Sequence, residues 1–285
     1  MDVYWLQPPY IWGDCVDNLQ LCLIQDLGNV LNRLRANKLT LNMTKTKFML
    51  IGSRQTLSTL GVSLTITIYD SQASQFTTAK SLGVTIDNKL NWGSHIDKLT
   101  TKVPFGIGAI KRIWHLVPQA TLLLTNKALI QPHFDYCNIV WGNCGITLQN
   151  KVQKLQNREA RVLTYSNYDA EAGHLFELLR WKNLASQQQI QRAIMVYKSL
   201  HGLAPDYSYS KFERQETAHN LRDSEHKLNV PLLQTNYYKN SFSYSGATLW
   251  NRLPRDIRQA ESLELFTCLI KEVCSGMAFV ESSFS

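Results

Sequence analysis

The stretch NKLTLNMTKTKFMLIGSRQ, residues 37–55, sets the fold class, because strand chemistry begins here directly after a helical pattern. Leu39, Leu41 and Met43 alternate with polar residues, and a short apolar run, residues 48–51, follows before a glycine. Alternation with a period of two, bounded by a glycine, is typical of a β-strand. We therefore expect strand structure in this stretch.

The flanking sequence predicts an α+β architecture. Apolar residues recur at steps of three and four from Leu19 to Leu34, which predicts a helix that begins near Asp17. Residues 62–69 (VSLTITIY) alternate and are rich in β-branched side chains, and residues 80–87 (KSLGVTID) are another short strand candidate. We expect a small antiparallel sheet with one leading helix, followed by a mostly helical remainder.

That remainder shows helical periodicity with several interruptions. A helix is predicted to begin at Ser94 as its N-cap, and Pro104, Gly106 and Gly108 are predicted to kink or break it. Further helices are predicted over residues 107–116, 120–130, 147–163, 175–179, 184–200 and 263–274. The polar segment 202–239 is expected to be a loop with one short strand near residues 228–233.

The charge is basic and unevenly distributed. The 285-residue chain is 44% apolar and 18% charged, which supports a sizeable core, and it carries a net charge of +8. Residues 27–69 contain six basic residues and no carboxylate. One interpretation is that this segment faces the phosphates of a nucleic acid. The other is a solvated outer strand face whose lysines discourage edge pairing.

The cysteine pattern and the hydropathy limit the class of protein. None of the six cysteines forms a C-x-x-C pair, which argues against a zinc knuckle and favours reduced thiols. The first 14 residues have no basic segment followed by an apolar run, so we predict no signal peptide. No apolar stretch approaches the roughly 20 residues of a membrane helix. We expect an intracellular protein, nuclear or cytoplasmic, without a membrane partner.

Several stretches together resemble one family, the non-LTR retrotransposon reverse transcriptases of the jockey-like type. NKLTLNMTKTKFMLIGS and KSLGVTIDNKLNWGSHIDKL resemble the end of the palm and the start of the thumb. GIGAIKRIWHLVP, ALIQPHFDYCNIVWG and KVQKLQNREARVL resemble the helical thumb and the region after it, and SFSYSGATLWNRLPRDIRQAESLELF resembles the C-terminal segment. The resemblance implies a palm remnant at residues 1–93, a helical thumb or connection at 94–201 and a C-terminal helical region at 202–285.

The resemblance also implies roles for individual residues. Lys45 matches the family's lysine near the phosphates of the incoming nucleotide, for which a catalytic role as proton donor to the leaving pyrophosphate has been proposed. The stretch containing Lys80 resembles the hairpin that grips the primer end. With Lys45 and Lys80, we assign Lys38, Lys47 and Arg54 to nucleic-acid contact. The implied partners are an RNA template and a DNA primer.

The family's metal-binding carboxylates have no counterpart in the sequence. These enzymes use two Mg²⁺ ions held by an aspartate on an early strand and by an adjacent Asp-Asp pair, and this sequence contains no Asp-Asp. Asp14 and Asp17 are interpreted as acids at a helix N-terminus. We therefore expect no metal or other cofactor and no polymerase activity from this chain alone. We expect a truncated polymerase that keeps primer–template contact and self-associates through its exposed palm-facing surface.

Two other patterns are candidates for function. Lys151, Lys154, Arg158 and Arg161 are spaced 3, 4 and 3 and share one helix face, which is typical either of a surface that tracks phosphates or of an ordinary amphipathic helix. An alternative is therefore a helical interaction module with no nucleic-acid role. The cluster His133, Asp135 and Cys137 is a third hypothesis, an unrelated thiol enzyme, although three groups within five residues rarely orient one another productively.

Overall fold

A computed structural model describes residues 16–42, 45–59, 66–68, 71–215, 226–232 and 236–276. The chain divides into two compact units, Met1–Asp97 and Lys98–Ser285. Short strands occur in the first unit and long helices dominate the second, so the predicted α+β class is confirmed.

The first unit contains one long helix and short paired strands. Its described elements are α1 (Val16–Ala36), β1 (Lys47–Phe48), α2 (Arg54–Thr59), β2 (Thr67–Ile68), β3 (Ser71–Gln72), β4 (Ser74–Gln75), β5 (Thr78–Ser81) and β6 (Val84–Asp87). The described strands form three separate two-stranded pairs, not one continuous sheet, and the pairs β2–β3 and β5–β6 are antiparallel, as predicted. The pair β1–β4 is parallel, which the sequence did not predict.

Two strand predictions are corrected in detail. Residues 39–42 are irregular: Leu41 packs inward, whereas Leu39 is 58% exposed, and Met43 lies outside the described residues. Residues 80–87 are not one strand but most of the β5–β6 hairpin, which turns at Leu82 and Gly83 with φ of 44° and 85°. Positive φ at both central residues is the geometry of a type I′ turn. Most of the predicted strand 62–69 lies outside the described residues.

The core of the first unit explains the spacing of its apolar residues. Leu23, Leu27 and Leu31 of α1 lie four residues apart, so they share one face of the helix. They pack with Leu41, Phe48 and Leu50 against Ile66, Ile68 and Ala73. The helix is therefore held by apolar burial, at about 25 cal/mol for each Å² removed from water.

One helix crosses the boundary between the units, and the rest follow in the second. The helices are α3 (Gly93–Ile113), α4 (Gln119–Leu129), α5 (Gln131–Asp135), α6 (Asn138–Trp141), α7 (Ile146–Leu163), α8 (Ala172–Leu179), α9 (Leu184–Leu200), α10 (Asp206–Tyr209), α11 (Asn236–Lys239), α12 (Phe242–Arg252), α13 (Arg255–Arg258) and α14 (Leu263–Gly276). The predicted helices over 120–130, 147–163, 184–200 and 263–274 are confirmed within two residues at each end. No helix in the described part of the chain is both long and apolar enough to cross a bilayer.

The predicted break at Pro104 is wrong, because α3 runs unbroken through it. Leu99, Val103, Ile107 and Ile110 are each at most 5% exposed and lie three or four residues apart. This apolar stripe continues on both sides of the proline. Its burial, worth about 1.5–3 kcal/mol for each side chain, outweighs the roughly 3 kcal/mol cost of a proline inside a helix.

The C-terminal core is aromatic at its centre. The Tyr197 and Phe266 rings stack at 4.5 Å between centroids, and the Trp250 ring lies 5.7 Å from Phe266. Trp250 is 1% exposed and is therefore part of this core. Gly246 lets α12 approach α9, since a Cβ there would lie 3.0 Å from a methyl group of Val196.

Candidate nucleic-acid interface

Lys45 is positioned by a compact turn centred on Asn42. The Lys45 backbone N–H donates to the Asn42 carbonyl at 3.1 Å and lies 3.3 Å from its Oδ1. The Thr46 hydroxyl donates to the same carbonyl at 2.8 Å. Asparagine commonly organises turns through its own side chain in this way. The motif thus fixes the backbone of Lys45 and leaves its side chain exposed.

Lys47 lies beside an aromatic ring on the neighbouring strand segment. Its Nζ is 4.9 Å from the centroid of the Phe76 ring, which is within the range of a cation–π contact. The Phe76 backbone N–H donates to the Phe48 carbonyl at 3.1 Å and continues the β1–β4 pairing. Lys47 remains exposed, so it presents a positive charge beside an aromatic surface.

Backbone hydrogen bonds connect this region to the hairpin and to α2. The Asn88 N–H donates to the Thr77 carbonyl at 2.8 Å, and the Gly52 N–H donates to the Asn88 carbonyl at 3.1 Å. Lys80 is an exposed residue of β5, and Arg54 is the exposed first residue of α2. Lys47, Arg54 and Lys80 therefore belong to one hydrogen-bonded framework.

Lys38 lies on a different segment, the turn that ends α1. It adopts a left-handed backbone conformation with φ of 56°, and its N–H donates to the Arg35 carbonyl at 2.9 Å. A residue in this conformation commonly terminates a helix. Lys38 is exposed, and within the described residues no backbone hydrogen bond joins it to the framework of β1 and the hairpin.

The acidic residue closest to this framework in sequence, Asp87, has a structural role. It is 6% exposed, and its carboxylate accepts backbone N–H groups from Lys89, Asn91 and Trp92 at 3.0, 3.2 and 2.9 Å. These bonds shape the loop that leads into α3. Since the helix begins at Gly93, the predicted N-cap Ser94 lies inside the first turn instead.

The four basic residues predicted to share one face of α7 differ in their surroundings. Lys151, Lys154 and Arg158 are exposed. Arg161 is half-buried: its Nε donates to the Ala170 carbonyl at 3.0 Å and its guanidinium lies 5.6 Å from the Tyr168 ring centroid. Arg161 therefore anchors the loop after α7, and the other three residues form the solvent-facing part of the helix.

The hypothesis of a thiol enzyme built from His133, Asp135 and Cys137 is not supported by a contact described between these three side chains. Burial and the nearby Lys102 lower the pKa of His133, which reduces the fraction of imidazolium. Asp135 accepts hydrogen bonds at 3.1 Å from Gln131, and burial raises the pKa of its carboxyl. Cys137 adopts a left-handed conformation at the start of α6. Each of the three groups thus has its own surroundings.

The structure also reveals a buried carboxyl that the sequence analysis missed. Glu159 is 1% exposed and lies on the inner face of α7, although its charge suggested a solvent position. Burial raises its pKa to about 8; the Asn126 side chain opposes the rise and the charge of Asp135 adds to it. The helical period could have indicated this position, since Val152, Gln156 and Glu159 follow one face.

Metal binding finds no support in the described residues. No group of three or more histidine, cysteine, aspartate or glutamate side chains there has an arrangement that would hold an ion.

Comparison with known proteins gives one partial similarity. A 91-residue segment is 29% identical to the probable RNA-directed DNA polymerase from transposon X-element of Drosophila melanogaster, and it covers 30% of this chain and 10% of that protein. No family model matches the chain. No solved structure matches it either. The similarity supports a relationship to reverse transcriptases, over about a tenth of that relative's length.

Proposed function

We propose that this chain contributes nucleic-acid contact in the manner of the palm-to-thumb region of a jockey-like non-LTR reverse transcriptase, with an RNA template and a DNA primer as partners. The partial similarity to a transposon polymerase supports a relationship to reverse transcriptases in general. The observation that carries the binding role is the run of six basic residues without a carboxylate over residues 27–69. The sequence contains no Asp-Asp, so we propose binding without polymerase chemistry.

The proposed contact surface centres on Lys45 and Lys47. Both side chains are exposed, and their backbones are fixed by the Asn42 turn and by the β1–β4 pairing. A lysine ammonium is a compact charge that suits a phosphate, and fixing its backbone lowers the entropic cost of the contact. Lys80 and Arg54 extend this surface along the same framework, and Lys38 adds charge at the end of α1.

A second basic surface lies on α7. Lys151, Lys154 and Arg158 are exposed on one side of the helix, in the second unit. We propose it as a separate contact, because it lies in a different compact unit from Lys45 and Lys47. Arg161 is left out of this surface because it already binds the Ala170 carbonyl.

The test is binding of the full chain to a primed RNA template, measured by fluorescence anisotropy from low to moderate salt. Neutralising Z phosphate contacts gives a salt slope of about −0.9Z on duplexes, so a variant that loses two contacts has a shallower slope by about 1–2. We expect Lys45→Ala/Lys47→Ala to show this change. The charge-matched control is Lys127→Ala/Lys211→Ala, because both of these side chains are exposed elsewhere.

Three outcomes contradict part of the proposal. If the Lys45→Ala/Lys47→Ala variant and its control behave alike, while Lys154→Ala/Arg158→Ala lowers the slope, the contact lies on α7. Binding that does not depend on salt excludes phosphate contact on either surface. Absence of binding by a folded sample favours the alternative, a helical interaction module without a nucleic-acid role.

A further inference from the structure

One side of α3 carries a stripe of outward-facing residues that has the spacing of a helix–helix contact. Lys98, Lys102, Phe105, Ala109 and Arg112 follow one another at steps of four, three, four and three. This spacing places them on one face of the helix, opposite its buried apolar stripe. The same spacing forms the seam through which two helices pack in a coiled coil. These five residues, the α3 stripe, therefore have the geometry of a surface for another helix.

The α3 stripe is apolar at its centre. Phe105 is 76% exposed, and Ala109, which is half-buried, lies one turn further along the same face. Gly108 leaves open space beside them, because a Cβ there would meet nothing within 4 Å. Aromatic side chains contribute a large share of the contact energy of interfaces. Phe105 is therefore the side chain of this stripe that would anchor a partner.

The charge around Phe105 is positive. Lys98, Lys102 and Arg112 are exposed on the same stripe, and residues 98–134 contain five basic residues and no carboxylate. Interfaces pair a positive surface with a negative one. A partner for the α3 stripe would thus combine a recess for the aromatic ring with carboxylates on either side of it.

Helix α14 combines these two features. A cavity of about 620 Å³ opens to solvent beside it, within the range of about 300–1,000 Å³ for sites that hold small molecules, so a phenyl ring can enter. The cavity is lined by Lys182 and by residues of α14, among them Leu263, Thr267 and Cys268. Glu264 and Glu272 also line it, and both are exposed. The Lys182 ammonium donates to the Lys271 carbonyl, which holds this charge against the helix.

The charges on the two helices have similar spacings. Lys102 and Arg112 are ten residues apart, which is about 15 Å along a helix. Glu264 and Glu272 are eight residues apart, which is about 12 Å. Residues 261–285 contain four glutamates and one lysine, so this part of the chain is acidic where the α3 stripe is basic. On α3 the aromatic ring lies between the two charges, and on α14 the cavity does.

We propose that α14 of a second copy of this chain docks on the α3 stripe, with Phe105 inserted into the cavity beside α14. The two basic residues that flank Phe105 then face the two glutamates of the cavity. Each copy carries both surfaces, and both lie in the second unit. The proposal does not rest on the proposed nucleic-acid contact. It places self-association on a different surface from the palm-facing one expected from the sequence.

The experiment is sedimentation equilibrium of the nuclease-treated full chain over a range of concentrations and salt. We expect reversible association that weakens as the salt concentration rises. Lys102→Glu/Arg112→Glu and Glu264→Lys/Glu272→Lys should each raise the dissociation constant about tenfold or more, because each brings like charges together. An equimolar mixture of these two variants should associate as the wild type does, since each reversed surface then meets its complement.

Matched variants separate this contact from net charge and from exposed apolar area. Lys154→Glu/Arg158→Glu reverses two exposed charges on α7 and should leave association unchanged. Phe105→Ser should weaken association about tenfold, whereas Leu203→Ser, at a residue that is 57% exposed outside both surfaces, should not. Circular dichroism establishes that each variant is folded.

Four results overturn the proposal. The first is a folded wild type that stays monomeric at every concentration, and the second is a mixture of the two charge-reversed variants that fails to recover association. The third is a control on α7 that weakens association as much as the α3 variant does. The fourth is association seen only before nuclease treatment, which would mean that nucleic acid bridges the copies.

Discussion

The Asp87 carboxylate accepts the backbone N–H of Trp92 at 2.9 Å, at the point where the β5–β6 hairpin leads into α3. The same carboxylate accepts N–H groups from Lys89 and Asn91, so one buried acid shapes the entire connection. Three backbone N–H groups of the loop before α3 are thus satisfied by a single side chain. The hairpin that carries Lys80 is thereby tied to the start of a long helix.

Substitution of Asp87 by alanine should loosen this connection. Three backbone donors would lose their acceptor, and an unpaired buried polar group costs about 1–3 kcal/mol. We expect faster amide hydrogen exchange at residues 89, 91 and 92 and a lower free energy of unfolding for the first unit. Asp169→Ala, at an exposed loop position, serves as the control. Equal exchange in both variants would show that these bonds do not hold the loop.

Two glycines on α3 should respond differently to alanine. A Cβ at Gly106 would lie 3.0 Å from Ile130 Cγ1, whereas a Cβ at Gly108 would meet nothing within 4 Å. Alanine favours a helix interior over glycine by about 1 kcal/mol. Gly108→Ala should therefore raise the free energy of unfolding by up to about that amount.

Gly106→Ala should be less stable than Gly108→Ala, because the helix-propensity gain is offset by displacement of Ile130. Urea denaturation of the two variants and the wild type measures the order. If Gly106→Ala is as stable as Gly108→Ala, the contact between α3 and Ile130 is looser than the structure indicates.

The long helices were predictable because their apolar period is strong. Leu184–Leu200 coincides with its predicted bounds, since Asn183 caps it by accepting the Ser186 N–H at 2.8 Å and the apolar residues recur throughout. The predicted break at Pro104 was wrong because it considered only the low helix propensity of proline. It did not include the burial of Val103 and Ile107 on the same apolar stripe. Predictions from local helix propensity fail where burial in the tertiary structure contributes more free energy than the propensity costs.

The candidate sites were only partly predictable, for a related reason. Exposed lysines such as Lys45 and Lys47 can be recognised from composition and spacing along one segment. One cavity is lined by Arg214, His226, Arg258 and His201, residues that are separated in sequence and meet only through tertiary contacts. Arg161 shared the period of its neighbours, yet its contact with Ala170 depends on a loop whose path the sequence did not show.

Asn251 should be essential for holding the segment around Leu228. Its Oδ1 accepts the Leu228 N–H and its Nδ2 donates to the Leu228 carbonyl, as a neighbouring strand would do in a β-sheet. Asn251→Asp keeps the shape but cannot donate when ionised, so we expect a loss of about 1–3 kcal/mol in the free energy of unfolding. Asn150→Asp, at an exposed position of α7, is the matched control. Equal denaturation midpoints for the two variants would contradict this role.

The cysteines of the described residues should differ in reactivity. Burial raises the pKa of the Cys144 thiol to about 11, whereas Cys268 is exposed. Thiolate is the reactive form, so Ellman's reagent at pH 8 should modify Cys268 well before Cys144. Peptide mapping at timed intervals identifies the modified sites, and the unfolded chain in guanidinium supplies the reference rates. Equal rates at both sites in the native protein would exclude the burial of Cys144.

Glu159 should make stability fall as the pH rises. Burial raises the pKa of its carboxyl from an ordinary value of 4.5 to about 8, so between these values the folded state holds a proton that the unfolded state has released. By linkage, the free energy of unfolding decreases with pH across this window. Below about pH 4.5 both states are protonated, and above about pH 8 both are ionised, so the contribution is constant on either side.

The difference between the wild type and Glu159→Gln isolates this effect, because glutamine keeps the side chain neutral at every pH. From pH 5 to pH 8, the wild type should lose stability relative to the variant by an amount on the order of a few kcal/mol. Guanidinium denaturation at pH 5, 6.5 and 8 measures it, with the exposed Glu171→Gln as the control that should follow the wild type. A constant difference between wild type and Glu159→Gln over this range would mean that Glu159 is ionised in the folded protein, and that the interior beside Asn126 is hydrated enough to hold its charge.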